Sequence, residues 1–249
     1  MAQVGILSNY QWPAPFDGSM YSNSGRNLKT WWNFEDFVSG IYALNSNVGI
    51  WVSGISGAAA LIQDTVGYTT RPGVIALVTG TTTTGYATLY SAYAAMQNIT
   101  FGGGTYTFES DVYIDSLSTV GEEYILRLGF GDSLNADFVD GVYFEYDRLG
   151  SGNNWFLCSS SNSARTKVDS TLPVGAAGWI RLKIIVNANA SIADMYINNS
   201  LYYHLNTNIP SGSGRELTSL IQLVKSAGTT PRTVRVDWIW LHFDLTASR

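Results

Sequence analysis

Val234-Arg235-Val236-Asp237-Trp238-Ile239-Trp240-Leu241-His242-Phe243 alternates between two sets of side chains for ten residues. Alternation at period two marks a strand with one face turned to a core. Read straight through, Val234, Val236, Trp238, Trp240 and His242 share a face, which predicts a core or inter-sheet place for both Trp. The same period recurs upstream, in Thr105 to Ile114 and again in Glu123 to Phe130. In Gly141 to Asp147 it sets Val142, Phe144 and Tyr146 against Tyr143, Glu145 and Asp147. Ile180, Leu182, Ile184 and Val186 alternate with Arg181, Lys183 and Ile185. Asp194 to Ile197 and Leu201 to His204 flank Asn198-Asn199-Ser200. Asn tolerates the positive φ of tight hairpin turns, so this segment reads as a hairpin.

Between these runs lie clusters of Ser, Thr, Asn and many of the chain's 25 Gly. Such punctuation joins strands rather than helices. Helical periodicity is weak; Leu89 to Met96 reads as a strand that bends toward a short helix. Strand signals every 8–12 residues or so favour a two-sheet sandwich or a barrel. A chain of 249 residues suits one large all-β domain with an appendage, or two small domains. It can bury roughly 70–75% of its unfolded surface and needs no disulfide or metal for a core.

Residues 1–34 differ from the rest. They carry Trp12, Pro13, Pro15, Phe16, Tyr21, Trp31 and Trp32 with little alternation. The expectation is an extended N-terminal arm, followed by a sandwich domain over residues 35–249. The arm folds back on its own sandwich, wraps a neighbouring subunit or, least expected for so aromatic a segment, is freely disordered. In the second case Trp12, Phe16, Tyr21, Trp31 and Trp32 are its assembly contacts.

Composition excludes several classes. Charged residues make up 13% of the chain and the net charge is −5, so the basic footprint of a nucleic-acid binder is missing. No apolar run reaches the roughly 18 residues of a membrane span. The first residues lack the basic start and apolar run of a secretory signal. The one cysteine, Cys158, precludes an internal disulfide and reads as a small buried apolar residue. His204 and His242 have no metal-site or nucleophile context.

Three clusters invite a chemical reading. Glu145 and Asp147, two apart on a strand, project from one face as a glycosidase pair would. The fuller acidic pattern of such enzymes is absent, so both are expected to be solvated or paired carboxylates. Asp132, Asp137 and Asp140 form an acidic loop that could hold Ca²⁺, without the spacing of an EF-hand. Gly102-Gly103-Gly104 lacks the Lys and the helix of a phosphate loop and reads as a plain loop. The aromatic content, eight Trp and 15 Tyr, suits a core, a subunit interface or a sugar-stacking surface.

From about Trp32 to Leu245 the chain resembles a concanavalin A-like, laminin-G-like jelly-roll module common in bacteriophage virion proteins. The landmarks are Phe34 to Gly40, Arg71-Pro72-Gly73-Val74, Thr79 to Tyr86 and Asp140 to Tyr146. Further along come Gly178-Trp179-Ile180-Arg181-Leu182, Tyr196-Ile197-Asn198-Asn199 and Thr207-Asn208-Ile209-Pro210. Gly228 to Arg232 and Val236-Asp237-Trp238-Ile239 close the series. The resemblance implies an all-β, two-sheet antiparallel jelly-roll sandwich and a virion setting. It supplies no catalytic residues, cofactor or metal. The function expected on it is that of a non-enzymatic structural protein on the phage surface, made in the host cytoplasm. As a homo-oligomer, with a trimer the guess, it would cement the head by contacts with the major capsid protein. The alternative is a tail-associated adhesin or fibre protein that binds host polysaccharide. Neither role involves nucleic acid or a membrane.

Overall fold

The computed structural model describes residues 30–35, 51–63, 71, 73–91, 99–175 and 178–247. The described strands begin with β1 (Thr30–Glu35), β2 (Trp51–Ser56), β3 (Ala60–Gln63), β4 (Ile75–Val78) and β5 (Gly85–Ser91). They continue with β6 (Gly104–Ile114), β7 (Glu123–Gly131), β8 (Gly141–Asp147), β9 (Asn154–Ser161) and β10 (Ala164–Pro173). The last are β11 (Trp179–Val186), β12 (Ala193–Ile197), β13 (Ser200–Leu205), β14 (Thr218–Ala227) and β15 (Thr233–Leu245). One helical turn, α1 (Arg148–Ser151), follows β8, where the Asp147 carboxylate accepts a hydrogen bond from the Leu149 backbone N–H at 3.1 Å.

The strands form two antiparallel sheets, the jelly-roll sandwich expected from the sequence. One sheet has eight strands in the order β13-β12-β11-β6-β15-β4-β3, with β1 also paired to β15. The other has seven, in the order β10-β9-β8-β7-β14-β5-β2. On one edge of β15, β4 covers Thr233 to Val236 and β1 covers Ile239 to Asp244. β1 therefore crosses the 34/35 boundary drawn between arm and domain. Trp31 and Trp32 belong to this strand, while Trp12, Phe16 and Tyr21 lie outside the described residues.

Inward side chains of both sheets meet in one core. Phe108, Leu126, Phe130, Phe144, Leu182 and Leu241 are among its members. Burying each such side chain contributes about 1.5–3 kcal/mol. Val142, Phe144 and Tyr146 point into it, as the alternation predicts. Trp155 also lies there, fully buried.

β15 departs from simple alternation. Its pairing with β6 steps from Val236↔Val112 to Trp238↔Asp111. Asp237 is thus an extra residue, a β-bulge that reverses which face follows. Val234 and Val236 face the core, and beyond the bulge Ile239, Leu241 and Phe243 do. Trp238, Trp240 and His242 are half-buried on the opposite, outer face. This corrects the expectation that Val234, Val236, Trp238, Trp240 and His242 share one side. It also moves both Trp out of the core.

The predicted hairpin is present. Asn198 and Asn199 have φ of 49° and 65° and link β12 to β13. Two successive positive φ values are the signature of the turn whose twist matches the flanking strands. β5 ends at Ser91, and the rest of the segment to Met96 lies outside the described residues.

Candidate functional site

Transverse rows of side chains build the outer face of the eight-stranded sheet. Partners in register across antiparallel strands lie on the same face. One row runs Trp179, Tyr113, Arg235. The next runs Arg181, Asp111, Trp238, and the third Tyr196, Lys183, Glu109, Trp240. In backbone register, Phe34 of β1 pairs with Trp240 and Trp32 with His242.

Most of these rings carry a cation. The Arg71 guanidinium sits 4.2 Å from the Trp179 ring centre, and Arg181 sits 5.1 Å from that of Trp238. Lys183 lies 5.4 Å from the Tyr196 ring and Arg235 5.8 Å from Tyr113. Trp240 instead stacks on His242, with planes 8° apart and centroids at 5.6 Å.

The charges on this face pair off. Arg71 Nη1 donates to Asp111 and to Asp237, each at 2.6 Å. Glu109 lies between Arg181 at 3.8 Å and Lys183 at 3.7 Å. Arg235 pairs with Asp115. Four cations of these rows thus meet four carboxylates, and Asp194 and Asp244 on the same face pair with His204 and His242. Partly exposed indoles set among polar groups that hold one another in place make a shallow, rigid platform.

The outer face of the seven-stranded sheet is organised differently. The β7–β8 loop, residues 132–140, folds back across it. The Asp132 carboxylate clasps the loop ends by accepting backbone N–H bonds from Val139 at 3.1 Å and Asp140 at 3.0 Å. Burial is the largest influence on this carboxyl, and with the nearby Asp140 charge it pushes the pKa up. Thr88 Oγ1 donates to the Leu134 carbonyl at 2.6 Å, and Gln222 Nε2 donates to the Ser133 carbonyl at 3.0 Å. The Phe138 ring settles onto Gly131, where a Cβ would stand 2.6 Å from it. Only glycine leaves room for the ring there.

Beneath the loop lies a buried ionic network. Arg127 Nε donates to Glu145 at 2.7 Å, Nη1 donates to Gln222 at 2.9 Å and Nη2 donates to Asp137. Lys167 Nζ donates to the other Glu145 oxygen at 2.8 Å. Burial alone would raise the Glu145 carboxyl, but the Arg127 and Lys167 charges outweigh it and hold its pKa below the usual range. Tyr143 shares this face; burial pushes its hydroxyl pKa up, and the oxygen has no hydrogen-bond partner among the described residues.

These placements decide the candidates raised by the sequence. Glu145 is paired and held ionised under the loop, a poor state for a general acid. Asp147 caps α1. The three acids of the loop are each engaged by protein donors. Asp137 binds Arg127, and Asp140 accepts from Arg215 at 3.1 Å and from the Asn162 N–H at 2.8 Å. Among the described residues, no three His, Cys, Asp or Glu side chains gather as metal ligands would. Cys158 is fully buried in β9, and burial drives its thiol pKa up. His204 pairs with Asp194 at 2.6 Å. Gly102 and Gly103 lie in a turn, and Gly104 opens β6. The sequence reading missed the Trp platform and the Arg127 network. A signal for the first was the run Trp238 to Phe243, apolar or aromatic at every position but His242 and so compatible with either phase.

The family described as SO2946-like, C-terminal domain matches residues 70–237. Among solved structures, the chain is similar to a protein of unknown function, SO2946 from Shewanella oneidensis MR-1. Their identity is 13% and the TM-score 0.70, over 100% of this chain and 97% of the other. It is similar to the carbohydrate recognition domain of Emp47p at 12% identity and TM-score 0.53, over 88% and 96% of the two chains. The carbohydrate recognition domain of Emp46p matches at 8% and 0.52, over 83% and 94%. At these identities the likeness is one of fold. No curated protein matches the sequence.

Proposed function

This chain belongs to the family of SO2946-like C-terminal domains, and we propose that it is a non-catalytic carbohydrate-binding module. On this reading a neutral polysaccharide lies against the outer face of the eight-stranded sheet. The observation that carries it is the bulge at Asp237, which turns Trp238, Trp240 and His242 outward. Indole faces offer flat apolar area to the C–H faces of sugar rings, and the surrounding charged groups bind hydroxyls. The matched charges favour a neutral glycan, because an anionic one would have to break existing pairs. Sharing a fold with carbohydrate recognition domains supports the reading.

On a phage particle, such a module serves as a tail-associated adhesin at the virion surface, with host polysaccharide as its partner. The cement role depends on arm contacts at Trp12, Phe16, Tyr21, Trp31 and Trp32, and no described feature favours it.

Glycan-array binding of the purified chain beside its Trp240→Ala variant tests the proposal. The wild type is expected to retain neutral polysaccharides, and the variant, still folded, to lose at least about tenfold in affinity. Wild-type protein that binds no glycan, or a variant that binds equally well, overturns it.

A further inference from the structure

The loop over the seven-stranded sheet holds its aspartate in an unusual way. Asp137 is 69% exposed, yet its carboxylate meets Arg127, whose side chain is 3% exposed. Its other oxygen lies 3.4 Å from Arg165 Nη2. Two arginines, one from β7 and one from the edge strand β10, therefore grip one carboxylate supplied from the solvent side by a loop tip. Arg127 is itself fixed by Glu145 and Gln222, and Arg165 lies 5.8 Å from the Tyr143 ring centre. The buried Tyr143 hydroxyl beside them has no partner among the described residues. A buried hydroxyl without a partner is costly, and a ligand that bonds to it removes that cost.

The loop has the form of a strap. Its ends are clasped by Asp132, and its middle is irregular, with Asn135, Ala136 and Asp137 exposed. Its middle is held down by bonds through Ser133, Leu134, Ala136 and Asp137, and its C-terminal end by the buried Phe138 ring and by bonds from Ser160 and Ser163 to the Phe138 and Val139 carbonyls. Compact loops with clasped ends can lift as units. Lifting this one uncovers Arg127, Arg165 and Lys167 against a single acid, Glu145.

We propose that the 132–140 loop is a displaceable strap and that Asp137 stands in for a ligand. The seat it fills, made by Arg127 and Arg165 with Tyr143 alongside, takes the carboxylate of a uronic acid residue in an acidic polysaccharide. Paired guanidinium groups recognise carboxylates by charge and geometry together. The tethered Asp137 competes at an effective concentration of order millimolar, which keeps the resting affinity low. That the carboxylate arrives on a sugar rests on the glycan reading above; the seat itself does not depend on it.

Calorimetric titration with trigalacturonate, and with its methyl ester as the neutral control, tests this. Asp137→Asn should bind trigalacturonate at least about tenfold more tightly than the wild type, with no such gain for the ester. Adding Arg165→Ala should abolish the gain, and adding Trp240→Ala should leave it intact. The last variant separates this seat from the neutral-glycan platform. Hydrogen exchange of the wild type with excess trigalacturonate gives a second measure that needs no variant. Amides of residues 134–138 should exchange faster in the complex. No gain in Asp137→Asn, an equal gain with the ester, or unchanged exchange shows the loop to be a fixed part of the sheet.

Discussion

Paired truncations at Ile239 and Trp240 test the phase of β15. Ile239 is completely buried and belongs to the core. Cutting such a side chain to Ala removes its transfer energy and leaves a cavity, at about 2–5 kcal/mol. Trp240 is half-buried on the outer face and stacks on His242. Losing a stack of that kind costs about 0.5–1.5 kcal/mol. For a chain of this size each kcal/mol moves Tm by about 2–4 °C. With about 3 kcal/mol for Ile239→Ala, its Tm should fall by about 6–12 °C, against about 1–6 °C for Trp240→Ala. Scanning calorimetry and urea unfolding of both variants give the comparison. Unbroken alternation from Val234 reverses the order, because Trp240 would then be core and Ile239 exposed. A Trp240→Ala variant that loses more stability than Ile239→Ala refutes the bulge.

Other expectations follow from named contacts. Glu145→Gln leaves Arg127 and Lys167 facing a neutral amide in a buried site and should cost about 3 kcal/mol, read by urea unfolding; a loss below about 1 kcal/mol contradicts the network. Because the Glu145 pKa is lowered in the folded chain, its contribution is present above the unfolded value of about 4.3 and fades as pH falls through the folded one. Wild-type stability should therefore drop more steeply below about pH 4.3 than that of Glu145→Gln, in unfolding titrations across acidic pH. Asn199→Ala forces a Cβ-bearing residue without Asn's local bonding into a φ of 65° and should cost about 1 kcal/mol, while Asn199→Gly should cost less.

Some of this structure was legible in the sequence. In β8 the polar members Glu145 and Asp147 fix which alternate set faces inward, and no bulge interrupts the count. The Asn198-Asn199 turn was readable because the residues that tolerate positive φ sit between two short alternating runs. β15 was not. From Trp238 to Phe243 both alternate sets are aromatic or apolar apart from His242, so composition cannot report the phase, and the shift at Asp237 arises only in pairing with β6. The Glu145 environment was hidden for a different reason. Its partners Arg127 and Lys167 lie 18 and 22 residues away in sequence, and only strand pairing brings them onto its face. The same holds for Asp137, whose role depends on a loop folding back over its own sheet.

The most direct test of the platform is an NMR titration of the indole N–H signals with neutral polysaccharide fragments. The signals of Trp179, Trp238 and Trp240 should shift together and saturably, while that of core Trp155 stays in place. Outer-face signals that do not move at saturating glycan would contradict the assignment of this face as the binding surface.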